Sequence, residues 1–141
     1  MSDYRIARET EHAERVANEV LSELLAFNAS QAGDLNLERV VLSVRADDGA
    51  LIGGLVAAQY WNGMFIDLLW VHDKLRRRGV GRKLMQRAEA SLAARGGEIV
   101  FLSTWSFQAP GFYEKLGYTA FGTLEGMPAN GRRTWYFKRL K

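Results

Sequence analysis

The sequence predicts a single α/β domain built around one mixed β-sheet. Short apolar runs separated by glycine-containing turns dominate the first half of the chain, and a strand–helix–strand succession occupies the second half. A chain of 141 residues with 48% apolar and 25% charged residues is long enough to bury one core and short for two. We therefore expect residues 1–141 to form one domain.

The first half is predicted to contain a strand, a helix and a three-stranded antiparallel meander. Alternation indicates a short strand at 4–8, and apolar residues at intervals of three and four indicate an amphipathic helix over 11–28 with Thr10 as its N-cap. Residues 28–36 are rich in Asn, Ser, Gly and Asp, which is typical of a loop. Strands are expected at 39–45, 51–60 and 64–71, and the Asp48-Gly49 turn indicates a hairpin between the first two.

The second half begins with a helix whose apolar residues recur every fourth position, at Val80, Leu84, Ala88 and Leu92. Gly96 ends this helix, and an apolar strand at 98–104 is expected to return beside the strand at 64–71, forming a right-handed βαβ unit with a parallel pair. A shorter helix at 109–116 and two strands at 118–124 and 133–138 complete the predicted order β-α-β-β-β-α-β-α-β-β.

Composition excludes several classes of site. Cysteine is absent, which excludes disulfides, thiolate metal ligands and a cysteine acyl-enzyme, and with only His12 and His72 we expect no metal site. No apolar run approaches the roughly 18 residues of a transmembrane helix, and the charged N-terminus lacks the apolar stretch of a secretory signal. We therefore expect a cytoplasmic protein with no membrane partner.

A basic, glycine-containing turn joins the strand at 64–71 to the following helix. Although the net charge is only +3, five basic residues fall within eight positions, at Arg76, Arg77, Arg78, Arg82 and Lys83. Free N–H groups at a helix start attract phosphate, and Gly79 and Gly81 let an anion approach the backbone. The turn lacks the Gly-Lys-Ser/Thr of a Walker A loop and the third glycine of a dinucleotide fingerprint.

The spacing Arg76-x-x-Gly79-x-Gly81 resembles the R/Q-x-x-G-x-G/A pyrophosphate loop of the GCN5-related N-acetyltransferase (GNAT) family. Residues 103–118 resemble the family's later motif, in which a short helix carrying F/L-Y-E-K-x-G-F/Y follows the strand after the pyrophosphate helix. Both segments, and the predicted elements over the whole chain, occur in the family's order. One position departs from the pattern: Ser106, with Gln108 nearby, stands where many relatives carry an asparagine that contacts CoA.

The resemblance implies a mostly antiparallel sheet whose central parallel pair is splayed to bind CoA, with helices on both faces. It also implies that acetyl-CoA donates its acetyl group to a primary amine by direct attack. Pantetheine is expected to pair with backbone of the strand at 64–71, and the turn amides are expected to hold the pyrophosphate. The implied cofactor-binding residues are Leu69, Trp70, Val71, Arg76, Arg77, Arg78, Gly79, Val80, Gly81, Arg82 and Ser106.

Two catalytic side chains are predicted. Tyr113 matches the family's tyrosine, which acts as general acid to the departing CoA thiolate, and the Val71 N–H is the expected oxyanion donor. Asp67, in an otherwise apolar strand, could accept the amine proton directly or through water, or attract a cationic substrate, but a solvent-facing edge carboxylate is equally consistent. His72 is a weaker candidate base because it is expected in a turn.

The sequence leaves the acceptor and two other classes of function open. The resemblance allows a small-molecule amine or a peptide amine, with Trp61 and Trp105 expected near the acceptor side, and pairing of the last strands across a homodimer is compatible with it. A catalytically silent CoA-binding or regulatory module of the same fold is the main alternative. Nucleic-acid binding through the arginine cluster is disfavoured by the balanced charge and the glycine spacing, so no nucleic acid is expected.

Overall fold

The computed structural model describes residues 3–140, which form two compact units that meet in the sequence between Leu35 and Asn36. The N-terminal unit contains one helix, α1 (Ala13–Ala32), which ends at Gly33 with φ +84°. None of the helices in residues 3–140 is long and apolar enough to cross a membrane.

Three predictions for this N-terminal unit are wrong. Residues 4–8 have no regular secondary structure, because a short alternating segment forms a strand only beside a partner strand, and the sheet of the described residues begins at Glu38. His12 rather than Thr10 precedes the first turn of α1, without a side-chain cap. The helix also continues through most of the predicted loop at 28–36, until Gly33, whose positive φ is incompatible with a helix, ends it.

The second unit is built on a six-stranded sheet with strand order β1-β2-β3-β4-β6-β5. The pairs are antiparallel except for the central pair of β3 and β4, which is parallel, so the predicted mixed sheet is confirmed with six strands. The strands are β1 (Glu38–Arg45), β2 (Leu51–Tyr60), β3 (Gly63–Val71), β4 (Ile99–Trp105), β5 (Thr119–Glu125) and β6 (Arg132–Arg139).

Two helices of this unit position the functional residues. Helix α2 (Val80–Ala94) links β3 to β4 through a 3-10 turn (Asp73–Leu75), and α3 (Phe112–Lys115) is shorter than the predicted helix at 109–116. The predicted four-residue period of α2 is confirmed, since its buried residues are Leu84, Met85, Ala88 and Leu92. They form one core with buried side chains of β2, β3 and β4, among them Leu55, Met64 and Leu102.

Candidate active site

The central strands part after three residue pairs. β3 and β4 pair only from Gly63/Ile99 to Phe65/Phe101. Two residues later the register between β2 and β3 shifts: Ala57 lies opposite Ile66 and Val56 lies opposite Leu68, so Asp67 is the extra residue of a β-bulge. The bulge thus lies at the point where β3 leaves β4, and a gap opens between the carboxyl halves of the two strands.

The backbone of β3 beyond the bulge supplies hydrogen-bonding groups to this gap. The His72 N–H donates to the Ile52 carbonyl at 2.9 Å, which fixes the alternation of the antiparallel ladder with β2. Trp70 is therefore a hydrogen-bonded partner of Gly54 on β2, whereas the N–H and C=O groups of Leu69 and Val71 point away from β2, into the gap. Three residues were predicted to offer backbone groups to pantetheine, and the backbone groups of two of them, Leu69 and Val71, point into the gap.

The turn before α2 leaves its amides available to an anion. Gly79 precedes the helix in the left-handed conformation, with φ +76°, and no side chain caps the first turn. Within residues 3–140, the N–H groups of Gly79, Val80, Gly81 and Arg82 donate to no acceptor. Four adjacent unpaired donors at the positive end of a helix are suited to phosphate oxygens.

The two glycines of this turn have different surroundings. A Cβ added at Gly79 would meet nothing within 4 Å, so the backbone there is open to a ligand. A Cβ added at Gly81 would lie 3.2 Å from Phe112 Cζ and 3.8 Å from Val71 Cγ2. Gly81 therefore serves as the close contact at which the start of α2, the end of β3 and α3 meet.

The arginines around this turn are all exposed. Arg76 pairs with Asp73 at 3.0 Å, an ion pair that is largely solvated and therefore contributes little to stability. Arg77 takes a left-handed φ of +66° between Arg76 and Arg78. Arg77, Arg78 and Arg82 are exposed and bring positive charge to the segment that contains the open amides.

Tyr113 lies in α3 directly after the residue that contacts Gly81. Its side chain is 7% exposed, and its ring packs edge-on against Phe112 and Tyr118, with centroid distances of 4.9 and 6.0 Å. The hydroxyl makes no hydrogen bond within residues 3–140, yet no buried side-chain oxygen of that range lacks a partner, so the hydroxyl reaches the accessible surface. Burial raises the pKa of this phenol to about 12, which keeps it protonated and able to donate at neutral pH.

Comparison with known proteins gives this arrangement a family. Residues 5–118 match the model of the acetyltransferase (GNAT) family. The chain belongs to this family. It is similar to blasticidin-S acetyltransferase of Streptomyces morookaense, with 42% identity over 81 residues that span 57% of this chain and 60% of that protein. It is also similar to acetyltransferase Atu2258 of Agrobacterium fabrum, with 29% identity over 83% of this chain and 85% of that protein.

Solved structures agree with this assignment. The crystal structure of an acetyltransferase from Bacillus cereus superimposes with a TM-score of 0.81 at 30% identity, over 97% of this chain and 98% of that one. The family and fold predicted from the two motifs are thereby confirmed, and the chain is placed among the acetyltransferase enzymes.

Two tyrosines that the sequence analysis did not single out fix the ring of Tyr113 in this GNAT site. The Tyr118 hydroxyl donates to Glu89 Oε2 of α2 at 2.7 Å, and the Tyr136 hydroxyl donates to Glu114 Oε2 at 2.8 Å. Burial first, and then the hydrogen bond to Glu89, raise the pKa of Tyr118. Sequence separations of 22 and 29 residues hide these pairs from any local pattern.

Of the other side chains predicted for the GNAT site, one is exposed and two make local or cross-strand hydrogen bonds. The Asp67 side chain is exposed at the bulge, beside the mouth of the gap. His72 Nδ1 accepts a hydrogen bond from the Lys74 N–H at 3.1 Å, so this ring stabilises the turn in which it was predicted. The Ser106 hydroxyl accepts from the Arg132 N–H at 3.2 Å, which ties it to β6.

The two tryptophans expected near the acceptor lie at opposite ends of the strands. Trp61 occupies the turn between β2 and β3, at the end where β3 and β4 are still paired. Trp105 ends β4, beside the open gap, and it stacks with Arg133 of β6. The structure therefore places Trp105, and not Trp61, beside the gap.

Proposed function

We propose that this GNAT protein transfers an acetyl group from acetyl-CoA to the primary amine of a small molecule by direct attack. The observation that carries the proposal is the meeting of three elements at Gly81. The open amides of α2, the free backbone edge of β3 and the α3 residue next to Tyr113 converge there. The named activity of the blasticidin-S acetyltransferase relative supports a small-molecule acceptor.

The residues present fit a pyrophosphate-bearing thioester. The outward N–H and C=O groups of Leu69 and Val71 would hold the pantetheine arm as an added strand. The amides from Gly79 to Arg82 would hold the pyrophosphate, because they have no protein acceptor among residues 3–140 and Gly79 offers open space. Acetyl-CoA supplies an activated acetyl group whose leaving group is a thiolate.

Three groups of the chain would then act on the charges that arise during acetyl transfer. Asp67 is the proposed acceptor for the amine proton, since an ammonium with a pKa of about 10 has no lone pair for attack. The Val71 N–H, which points into the gap, would stabilise the oxyanion. Tyr113 is the proposed general acid, donating its proton to the leaving thiolate.

The raised pKa of Tyr113 limits how this proton moves. A free thiol has a pKa of about 8.5, so a phenol with a pKa of about 12 donates a hydrogen bond before it donates its proton. We infer that charge developing on the thiolate during bond breaking draws the proton across. The hydroxyl must therefore be protonated when the thiolate leaves, and the phenolate that forms must regain a proton before the next turnover.

A thiol-release assay tests the proposed function. Purified protein is mixed with acetyl-CoA and a panel of primary amines that includes blasticidin S, and free thiol and acetylated amine are both quantified. Equal amounts of the two products are expected. Tight CoA binding without amine-dependent thiol release would instead identify a silent CoA-binding module, and absence of CoA binding would contradict the proposal entirely.

A pair of glycine substitutions tests the pyrophosphate site. Gly79→Glu places a negative side chain at the open amides and should weaken CoA binding by at least about tenfold, a change of about 1.4 kcal/mol. Gly49→Glu is the matched control, because Gly49 also has a positive φ and open surroundings but lies in the β1–β2 turn. Equal CoA affinity of the two variants by calorimetry would rule out this location.

A further inference from the structure

One half-buried cation of the second unit has no carboxylate partner. Three cationic side chains in residues 3–140 are partly buried: Arg95, Arg133 and Lys138. Arg95 Nη1 lies 3.3 Å from Glu38 and Lys138 Nζ lies 3.0 Å from Glu89, whereas Arg133 forms no ion pair in this range. Partial burial of a guanidinium without a carboxylate partner makes an anionic ligand a favourable counter-charge at this position.

The Arg133 cluster, defined as Ser103, Trp105, Arg133 and Trp135, holds this guanidinium in one orientation. Arg133 Nε donates to Ser103 Oγ at 2.7 Å. Its Cζ lies 4.9 Å from the Trp105 ring centroid and 4.6 Å from the Trp135 ring centroid. Both indoles pack near the guanidinium and Ser103 accepts from Nε, while neither terminal nitrogen has an acceptor within residues 3–140. A fixed fork of N–H donors matches a carboxylate.

The cluster lies beside the gap, on the sheet face opposite α2. Leu102 and Tyr136, which alternate with its members along β4 and β6, are buried in the core beneath α2 and α3. Ser103 and Trp105 belong to the part of β4 beyond Phe101, where pairing with β3 has ended. Adjacent strands are about 4.8 Å apart, so β6 lies within reach of a small molecule whose amine enters the gap.

We propose that the Arg133 cluster binds the carboxylate of the acceptor, so that the substrate class is a small primary amine with a carboxylate several bonds from its nitrogen. The inference rests on the proposed function for the direction of the amine, and it adds the chemistry at the other end of the molecule. The two indoles cover the apolar part of the acceptor, and Arg133 neutralises its charge.

Paired acceptors of equal length test the inference through turnover. The kcat/KM ratio of 6-aminohexanoate to 6-aminohexanamide should be at least about tenfold in the unmodified protein, because a hydrogen-bonded charge contributes about 1.5–3 kcal/mol. Arg133→Gln should bring this ratio close to one, and Arg133→Lys, which keeps the charge without the planar fork, should give an intermediate ratio.

A matched variant separates recognition from strand packing. Arg139→Gln removes another arginine from the same face of β6, where it lies 5.9 Å from the Phe137 ring, and it should leave the ratio unchanged. If Arg133 only joined β4 to β6, Arg133→Gln would lower kcat/KM for both acceptors equally. An unchanged ratio in Arg133→Gln therefore overturns the inference.

A binding measurement separates this inference from the proposed function. Hexanoate and hexanamide lack the amine, so their binding to the CoA-loaded protein, followed by tryptophan fluorescence, needs no acetyl transfer. Hexanoate should bind at least about tenfold more tightly, and Arg133→Gln should abolish the difference. Hexanoate selectivity without any acetyl transfer would support the carboxylate site and remove the proposed function. Acetyl transfer with equal kcat/KM for both acceptors, and no hexanoate selectivity, would support the proposed function and overturn the carboxylate site.

Discussion

Tyr113 combines a buried ring with a hydroxyl that stays at the accessible surface. Contacts with Phe112, Tyr118 and Tyr136 hold the ring, and burial keeps the phenol protonated. Because the ring and the hydroxyl have separate surroundings, a substitution that removes only the hydroxyl should separate catalysis from folding.

Tyr113→Phe should lower kcat by roughly 100-fold, the lower end of the range for general-acid catalysis, and leave CoA affinity unchanged. Steady-state kinetics and calorimetry check the two quantities. Tyr136→Phe is the matched control, because its hydroxyl donates to Glu114 and its ring also packs on Tyr113, and it should leave kcat nearly intact. Similar losses in both variants would assign Tyr113 a packing role.

The pKa of Tyr113 also predicts a pH dependence of stability. An unfolded tyrosine has a pKa of about 10, and the folded value of about 12 means that the native state keeps its proton through this window. The stability that follows from the retained proton is fully present below pH 10 and is lost as pH rises through 12. The loss should reach about 3 kcal/mol relative to Tyr113→Phe, which cannot ionise. Parallel urea-unfolding stabilities of the two proteins from pH 9 to 12 would contradict this.

At the residue scale, the sequence located Tyr113 and the glycine turn because each belongs to a contiguous motif. The long-range hydrogen bonds around the site could not be predicted in the same way. Glu89 lies 29 positions from Tyr118, and Arg133 lies 30 positions from Ser103, so only the folded sheet brings them together. The unpaired charge of Arg133 becomes visible only when its burial is known.

At the scale of the elements, the start of α2 contains two glycines, two positions apart, that serve different purposes. Gly79 supplies a left-handed residue in open space, whereas Gly81 supplies the room that Phe112 fills. Their sequence pattern is that of one motif, but only Gly79 faces open space, whereas the Cα of Gly81 faces Phe112. Substitutions at the two positions should therefore fail for different reasons.

Gly81→Ala should gain about 1 kcal/mol from helix propensity and lose about as much or more from overpacking against Phe112. In a Phe112→Leu background the overpacking is relieved, so the same substitution should stabilise the protein. A double-mutant cycle of unfolding free energies measures this coupling. Gly79→Ala, which has no neighbour to meet, should cost about 1 kcal/mol in both backgrounds. Absence of coupling between positions 81 and 112 would contradict the role given to Gly81.

The bounds of two elements, β2 and α2, could be predicted from local chemistry. The Asp48-Gly49 turn and the period of α2 identified β2 and α2 within one residue of their observed bounds. The strand expected at 4–8 failed because strand formation depends on a partner that a local pattern cannot reveal. The bulge at Asp67 was hidden for a similar reason: one aspartate in an apolar run does not show that the register shifts.

In the second unit as a whole, α2 joins two half-sheets that share little pairing. β1–β3 and β4–β6 are connected by only three residue pairs, and this sparse pairing is what opens the gap. Hydrogen bonds and an ion pair from α2 and Arg95 to strands of both half-sheets compensate for the missing strand pairing. Arg95, directly after α2, donates to the fully buried Gln59 of β2, while Glu89 binds Tyr118 and Lys138 of β6.

Removing these two contacts should therefore lower stability independently. Arg95→Met leaves Gln59 Oε1 without its donor and should cost about 1–3 kcal/mol, and Glu89→Gln, which removes the charge facing Lys138, should cost about 1 kcal/mol or more. The sites are six positions apart, about 9 Å along a helix, and share no partner, so the double variant should lose the sum of the two. Urea unfolding followed by tryptophan fluorescence and circular dichroism measures all four proteins. A double-variant loss that differs from the sum by more than about 0.5 kcal/mol would contradict this independence. It would show that the contacts of the two half-sheets are energetically coupled through α2.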